Sequence, residues 1–451
     1  MPCCWTARAC ASATPPSWTR CTTALEALRP RAGGMYVYLK EAYGRPVGFL
    51  QGWNQFLFGN PASLGALSMI FVDHLGVVCG YRFTTLVAVL IGVGMIAGLA
   101  GINVLGVLWG GWMQTATTII KAGFVLFVAV LPFVIHRGAA SGFDSGLLGQ
   151  DLPLGPDADA MPTRFAVVLL SVMWAYNGWH GVTPVAEEIR DPKRNIPRAL
   201  MIGIGLLMVL YVSANVAYHG VVPLSEMAAE ENQKKVAVLM FDRLLGDWGG
   251  QLMAVGVMVS TFGAINSNLL LGPRVPFAMG RDDLLLQKLG AVHPRFRTPA
   301  RAICVQAVMG VVLLLLSALL VQWVDSLQNR TGALSEVEKW FVGALEKRSI
   351  FEILTTFIIF SASIFYMFAV LSVLVLRRTV PDEVRPFRVW SIVPVFYLVF
   401  YAWFLSHVFL ASPVESIAGI VLTLTGVPVL LAGAGRIRKQ VAQSGQSTRD
   451  G

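Results

Sequence analysis

Residues 171–181 read Ser-Val-Met-Trp-Ala-Tyr-Asn-Gly-Trp-His-Gly, "SVMWAYNGWHG", inside an apolar run that extends over 164–186. The run is long enough to cross ~30 Å of hydrocarbon as a helix. Asn177, Gly178, His180 and Gly181 are poor helix-core residues, and they fall together in its middle. Two glycines lower the cost of unwinding. An unwound turn at membrane depth survives only where protein or a water-filled cavity satisfies its freed backbone groups. The stretch therefore predicts a broken transmembrane helix that lines a binding cavity. A continuous helix using its glycines for close packing is the alternative.

The rest of the chain supports a membrane setting. Of its 451 residues, 55% are hydrophobic and only 14% are charged, with a mean hydropathy of +0.64. That is too little charge to cover a soluble protein of this size. Apolar segments of membrane-spanning length recur at 49–72, 84–105, 108–135, 164–186, 198–221, 248–272, 301–323, 350–376, 389–410 and 414–434. The expectation is an all-α polytopic membrane protein with about ten transmembrane helices.

The net charge of +9 has a topological reading. Lys and Arg concentrate before the first span and after the fourth, sixth, eighth and tenth, as in Arg190, Lys193, Arg194 and Arg198. Alternation of this kind follows the positive-inside rule, which places the rich side and both termini in the cytoplasm. The basic excess thus implies no nucleic-acid partner.

Residues 1–27 are atypical. They carry Cys3, Cys4, Cys10 and Cys21, four of the six cysteines, among Arg, Ser and Pro. They lack the apolar core of a signal peptide and the paired spacing of a zinc site. A disordered or out-of-frame leader is the expectation. Within 324–349, Leu334, Val337, Trp340, Phe341, Ala344 and Leu345 recur at helical spacing. That pattern predicts an amphipathic insert, lying either on the outer membrane surface or against the ends of the spans. Residues 437–451 form a basic tail.

Polar groups within hydrocarbon are expensive and mark function by default. Lys121 lies mid-span in "TATTIIKAGFVLFVAVL", too deep to snorkel comfortably. Either it is a charge that couples transport to a cation or proton, or it is an ammonium satisfied by helix carbonyls. The first span carries Gln51, Asn54, Gln55, Asn60 and Ser63 with Pro61, so it faces the interior. The sixth carries Ser260, Thr261, Asn266, Ser267 and Asn268, which serve equally as site or as helix-helix glue. No hydrolase, P-loop or metalloprotease motif occurs. Neither an enzyme nor a bound metal or cofactor is expected.

Several segments resemble the amino acid-polyamine-organocation superfamily, most closely its L-type and related bacterial amino acid permeases. They are "LRPRAGGMYVYLKEAYGRPVGFLQGW", "WAYNGWHGVTPVAEEIRDPKRNIPRAL", "STFGAINSNLLLGPRVPFAMGRDDLL", "HPRFRTP" and "PDEVRPFRV", in the family's order from Leu28 onward. The resemblance implies the family's inverted-repeat fold of twelve helices, the ten spans here corresponding to its helices three to twelve. On that alignment the family's first two helices precede residue 28, where this chain has its leader. A truncated, impaired permease is the corresponding expectation.

The resemblance also implies function: amino acid transport across the cell membrane by alternating access, proton-coupled or by exchange. It places Trp174, Ala175, Tyr176, Asn177, Gly178 and His180 at the substrate, with Phe58, Gly59 and Ser63 in the same pocket. It assigns coupling to Lys121, facing the hydroxyls of Ser260 and Thr261. The implied partners are an amino acid and the lipid bilayer. The competing readings are a cation antiporter or channel centred on Lys121, and a non-functional fragment.

Overall fold

A computed structural model of the chain describes residues 32–135, 161–223, 236–284, 287–328, 349–379 and 392–432, with isolated residues between these segments. The leader at 1–27, the tail at 437–451, the "PDEVRPFRV" segment and the apolar positions of the proposed insert lie outside the described residues.

The described chain is helical throughout and has no strand. A short helix, α1 (Met35–Tyr43), leads through Gly44 into α2, the helical span Arg45–Cys79. There follow α3 (Thr85–Leu105), α4 (Val107–Ile135), α5 (Met161–Ala175) and α6 (Pro192–Val221). Next come α7 (Val236–Leu245), α8 (Gly249–Leu271), α9 (Arg274–Arg281) and α10 (Ala300–Gln328). The series ends with α11 (Ile350–Thr379), α12 (Ile392–Ala411) and α13 (Pro413–Leu424).

Nine helical segments among the described residues are long and apolar enough to cross a membrane. The fourth expected span, 164–186, is not a continuous helix, because α5 stops at Ala175. Four of the other spans, α2, α6, α10 and α11, run well past their apolar segments. α2 begins at Arg45 and α10 continues to Gln328, so residues 324–328 of the expected insert belong to a spanning helix. Hydropathy registers only the length that lipid must cover, whereas backbone hydrogen bonding carries a helix on into the interface.

α2 is the central element, packed along α8, α10 and α11. Its residues Leu64, Met69 and Val72 join Ile96, Leu99, Ile265, Leu269 and Leu314 in one buried cluster. A second cluster gathers Tyr36, Phe49, Met279, Phe360, Tyr397, Tyr401 and Phe404 from α1, α2, α9, α11 and α12. The exposed residues of the spans are themselves large and apolar, for example Leu86, Leu90, Ile119, Ile202, Val209 and Leu319. A surface of this kind suits lipid contact.

α4 and α8 approach closely through small residues. A Cβ on Gly256 would overlap the Phe124 ring, and one on Gly263 would meet the Thr117 side chain. Asn103 and Asn266 lock α3, α4 and α8 together. Asn103 Nδ2 donates to Asn266 Oδ1 at 2.8 Å, while Asn266 Nδ2 donates to the Gly110 carbonyl and to Gln114 Oε1 at 3.1 Å each. Asn266 is therefore structural glue, one of the two roles its sequence context allowed.

Candidate functional site

One wall of the site comes from a local defect in α2. Pro61 has no N–H, so the carbonyl four residues earlier loses its helical partner. The backbone widens into a π turn over Gln55–Gly59, with the Asn60 N–H reaching the Gln55 carbonyl. Such turns concentrate at functional sites. The Ser63 hydroxyl donates to the Gly59 carbonyl at 3.0 Å, tying the first regular turn to the widened one.

The second wall is the break after α5. The Tyr176 and Asn177 amides still close turns onto Val172 and Trp174. Gly178 then takes φ 94°, a left-handed conformation that favours glycine. Gly181 N–H returns to the Gly178 carbonyl at 2.8 Å, and a 3-10 turn over Thr183–Glu188 carries the chain to α6. Among the described residues the carbonyls of Tyr176 and Asn177 accept no backbone hydrogen bond. The Asn177 side chain holds the break, its Oδ1 accepting from the Gly178 N–H at 3.0 Å.

The third wall is α11. The Tyr366 hydroxyl donates to Asn177 Oδ1 at 3.1 Å and lies 3.4 Å from His180 Nδ1. Its ring packs edge-on against His180. Together the three walls enclose a polar cavity of ≈ 60 Å³ lined by Gln51, Asn54, Gln55, Gly59, Asn60, Ser63, Asn177, His180, Ser361 and Tyr366, with Met35, Ile358, Ala362 and Phe365 as its apolar part.

Four of the nine expected substrate residues, Gly59, Ser63, Asn177 and His180, thus line one cavity. The others stand around it. Phe58 is buried in an apolar cluster with Ala62, Leu354, Phe357 and Ile358, and Trp174 packs against the same cluster. The Trp174 ring sits edge-on to Phe351 and lines a second cavity of ≈ 1300 Å³ near the Cys79 end of α2, beside Asp73, His74, Arg82 and Glu352. Trp174, Phe58 and Ile358 pack in one apolar cluster that reaches the first cavity through Ile358 and the second through Trp174. Ala175 offers its carbonyl to the Tyr211 hydroxyl at 3.2 Å, and the Tyr176 ring meets Tyr211 edge-on. Gly178 is exposed at the break. Tyr366 and Ser361 were missed. Their only signal is the presence of hydrogen-bonding side chains, Ser361, Ser363 and Tyr366, within the apolar stretch "FSASIFYMF".

A broken helix, a π-widened neighbour and a cavity lined by amides and hydroxyls between them form the setting for comparison with known proteins. The sequence profile described as amino acid permease matches residues 18–433. The chain belongs to the amino acid permease family. It is 28% identical over 405 residues to the serine/threonine exchanger SteT of Bacillus subtilis, covering 89% of this chain and 81% of that one. It is also 28% identical to the mouse Asc-type amino acid transporter 1, over 92% of this chain and 71% of that protein. The human large neutral amino acids transporter small subunit 2 is again 28% identical, with 92% and 70% covered. The function of this permease is transmembrane amino acid transport, and it is a multi-pass membrane protein.

In this permease Lys121 stands apart from the cavity. It lies one turn beyond Thr117, which meets Gly263, and just before Phe124, which meets Gly256. That register brings Lys121 level with Ser260 on α8. Among the described residues Lys121 has no hydrogen bond or ion pair, and the Thr261 hydroxyl donates back to the Val257 carbonyl at 2.9 Å. The expected trio shares one helix interface, with no hydrogen bond joining it.

The Arg45 end of α2 is closed by charges. Asp282 accepts from Lys40 Nζ at 2.5 Å and from the Tyr36 hydroxyl at 2.6 Å, while its carbonyl accepts from Arg45 at 2.8 Å. Burial pushes the Asp282 carboxyl up, but the two hydrogen bonds and the charges of Lys40 and Arg45 outweigh it and hold the group below its usual value of 3.8. Burial first, then the bond to Asp282, raises the Tyr36 phenol above its ordinary range. Two more pairs, Arg281–Glu187 at 3.2 Å and Arg274–Glu188 at 3.4 Å, tie α9 to the segment after the break.

Proposed function

We propose that this permease moves a zwitterionic amino acid by alternating access around the break at Gly178, working as an exchanger or with a proton. The reading rests on one observation above all: the carbonyls of Tyr176 and Asn177 accept no backbone hydrogen bond among the described residues, and Asn177 lines a cavity of amide and hydroxyl side chains. Carbonyls at an unwound turn can receive an ammonium group, and neutral amides and hydroxyls in the adjoining cavity suit the rest of the molecule. Similarity to the serine/threonine exchanger SteT supports the exchange mode.

In this reading the basic end of α2 is cytoplasmic, as are both termini. The ion pairs around Asp282, Glu187 and Glu188 are then the inner gate, and the cluster of Trp174, Phe58 and Ile358 is the outer one. Lys121 is the fixed charge of the coupling step. A cation antiporter or channel centred on Lys121 has less support, because Lys121 does not line either cavity.

Counterflow into proteoliposomes tests the proposal. Vesicles preloaded with unlabelled amino acid should accumulate external labelled amino acid faster than empty vesicles do. Uptake that neither rises with preloading nor responds to an inward proton gradient would remove both exchange and proton coupling.

A further inference from the structure

The polar cavity also carries information about which amino acid it accepts. Among the described residues, its lining contains no Asp, Glu, Lys or Arg; His180 and Tyr366 are its only titratable groups. Two of its lining side chains carry a buried oxygen without a hydrogen-bond partner, Gln51 Oε1 and Asn54 Oδ1. Gln51 and Asn54 are each only 3% exposed. Buried polar atoms left open in this way are a standing cost that a ligand can remove.

We infer that this cavity is the side-chain subsite and that it selects a small, neutral side chain able both to donate and to accept a hydrogen bond, a hydroxyl or a carboxamide, with Tyr366 as a specificity-determining residue; the inference rests on the transport reading above. Three constraints lead there. A carboxamide lining offers one donor and one acceptor whichever way it is turned. An acceptor-only carboxylate or a donor-only ammonium would therefore leave part of it unpaired. An ionised side chain would also meet no opposite charge in a buried site, which is prohibitive.

Size supplies the third constraint. One water-sized group needs roughly 10–15 Å³ on this measure of volume, so ≈ 60 Å³ holds a few heavy atoms and excludes an indole or phenyl ring.

Tyr366 sets the polarity of the wall. Its proton goes to Asn177 Oδ1, which already accepts from the Gly178 N–H. The Asn177 amide is thereby fixed with its Nδ2 free to donate, and the Tyr366 oxygen keeps acceptor capacity. Losing the hydroxyl would free the amide to turn and remove one acceptor.

The test is displacement of radiolabelled L-serine from the purified full chain in lipid nanodiscs, by a panel of L-amino acids. Serine, threonine and asparagine should displace about tenfold better than alanine, the change that one hydrogen bond supports. Leucine, phenylalanine, lysine and glutamate should compete weakly. In Tyr366→Phe the preference of serine over alanine should collapse towards one. Equal or better displacement by leucine, phenylalanine, lysine or glutamate overturns the inference on the unmodified chain, whether or not the variant folds. An unchanged serine-to-alanine ratio in folded Tyr366→Phe removes the role of Tyr366. If labelled serine fails to bind but another labelled amino acid binds saturably, this inference fails and the transport reading stands. If no amino acid binds, both fail.

Discussion

Lys40 in α1 and Asp282 just beyond α9 are 242 positions apart in the chain, and their charged atoms lie 2.5 Å apart in the fold. The carboxylate also receives the Tyr36 hydroxyl, so a single acid joins the helix before α2 to the end of α9. Side-chain exposures of 24% for Lys40 and 36% for Asp282 leave the pair half-screened by solvent.

Asp282→Asn should therefore cost only about 1 kcal/mol of stability, the scale of a partly exposed charged hydrogen bond. The folded carboxyl sits below its free value of 3.8, so its contribution is complete above 3.8 and disappears as pH falls through the lower, folded value. Thermal unfolding in detergent should show a constant deficit for the variant from about pH 8 to about pH 5, narrowing in stronger acid. A deficit that grows in acid contradicts this sign.

Gly178 holds φ 94°, and a Cβ there would meet no atom within 4 Å. The penalty of substitution is therefore conformational rather than steric. Gly178→Ala should cost roughly 1–2 kcal/mol for the left-handed conformation. Gly178→Leu should in addition favour a continuous helix and lower amino acid binding more than tenfold, since losing two charge-assisted bonds of about 1.5–3 kcal/mol each exceeds that factor. Wild-type binding by the Leu variant would place the substrate elsewhere.

Lys121 is half-buried on α4, level with Ser260, with no ion pair among the described residues. In a coupling role, Lys121→Met should leave a monodisperse, folded protein whose uptake no longer varies between about pH 5 and pH 8. An unaltered pH profile assigns Lys121 to packing.

Asn266 is fully buried and bonds three groups on α3 and α4. Asn266→Leu removes the bonds to Asn103, Gly110 and Gln114, leaving Asn103 Nδ2 only the Leu99 carbonyl, which should cost about 2–4 kcal/mol. The apparent melting temperature of the purified protein should drop, and relative substrate preference should stay unchanged because Asn266 does not line the cavity. A shift in preference would place Asn266 in the site.

Much of this molecule was decided locally, and the sequence by itself determined that part. Apolar runs of spanning length specify helices because lipid leaves no other way to satisfy backbone groups. The break in "SVMWAYNGWHG" follows from Gly178 and its polar neighbours in the same way, and so does the inward face of α2 from Gln51, Asn54 and Asn60. Short helices without a full apolar run, α1, α7 and α9, were not legible, since their stability comes from packing rather than periodicity. Tertiary structure alone decided which polar residues meet. Nothing in the chain order distinguishes Asn266, bonded into a three-helix clamp, from Asn177, bonded to Tyr366 at the cavity. Tyr366 lies 189 positions from Asn177, and Asp282 lies 242 from Lys40. Hydrogen bonds and ion pairs act over about 3 Å, so their partners are chosen only when packed helices bring distant segments within that reach.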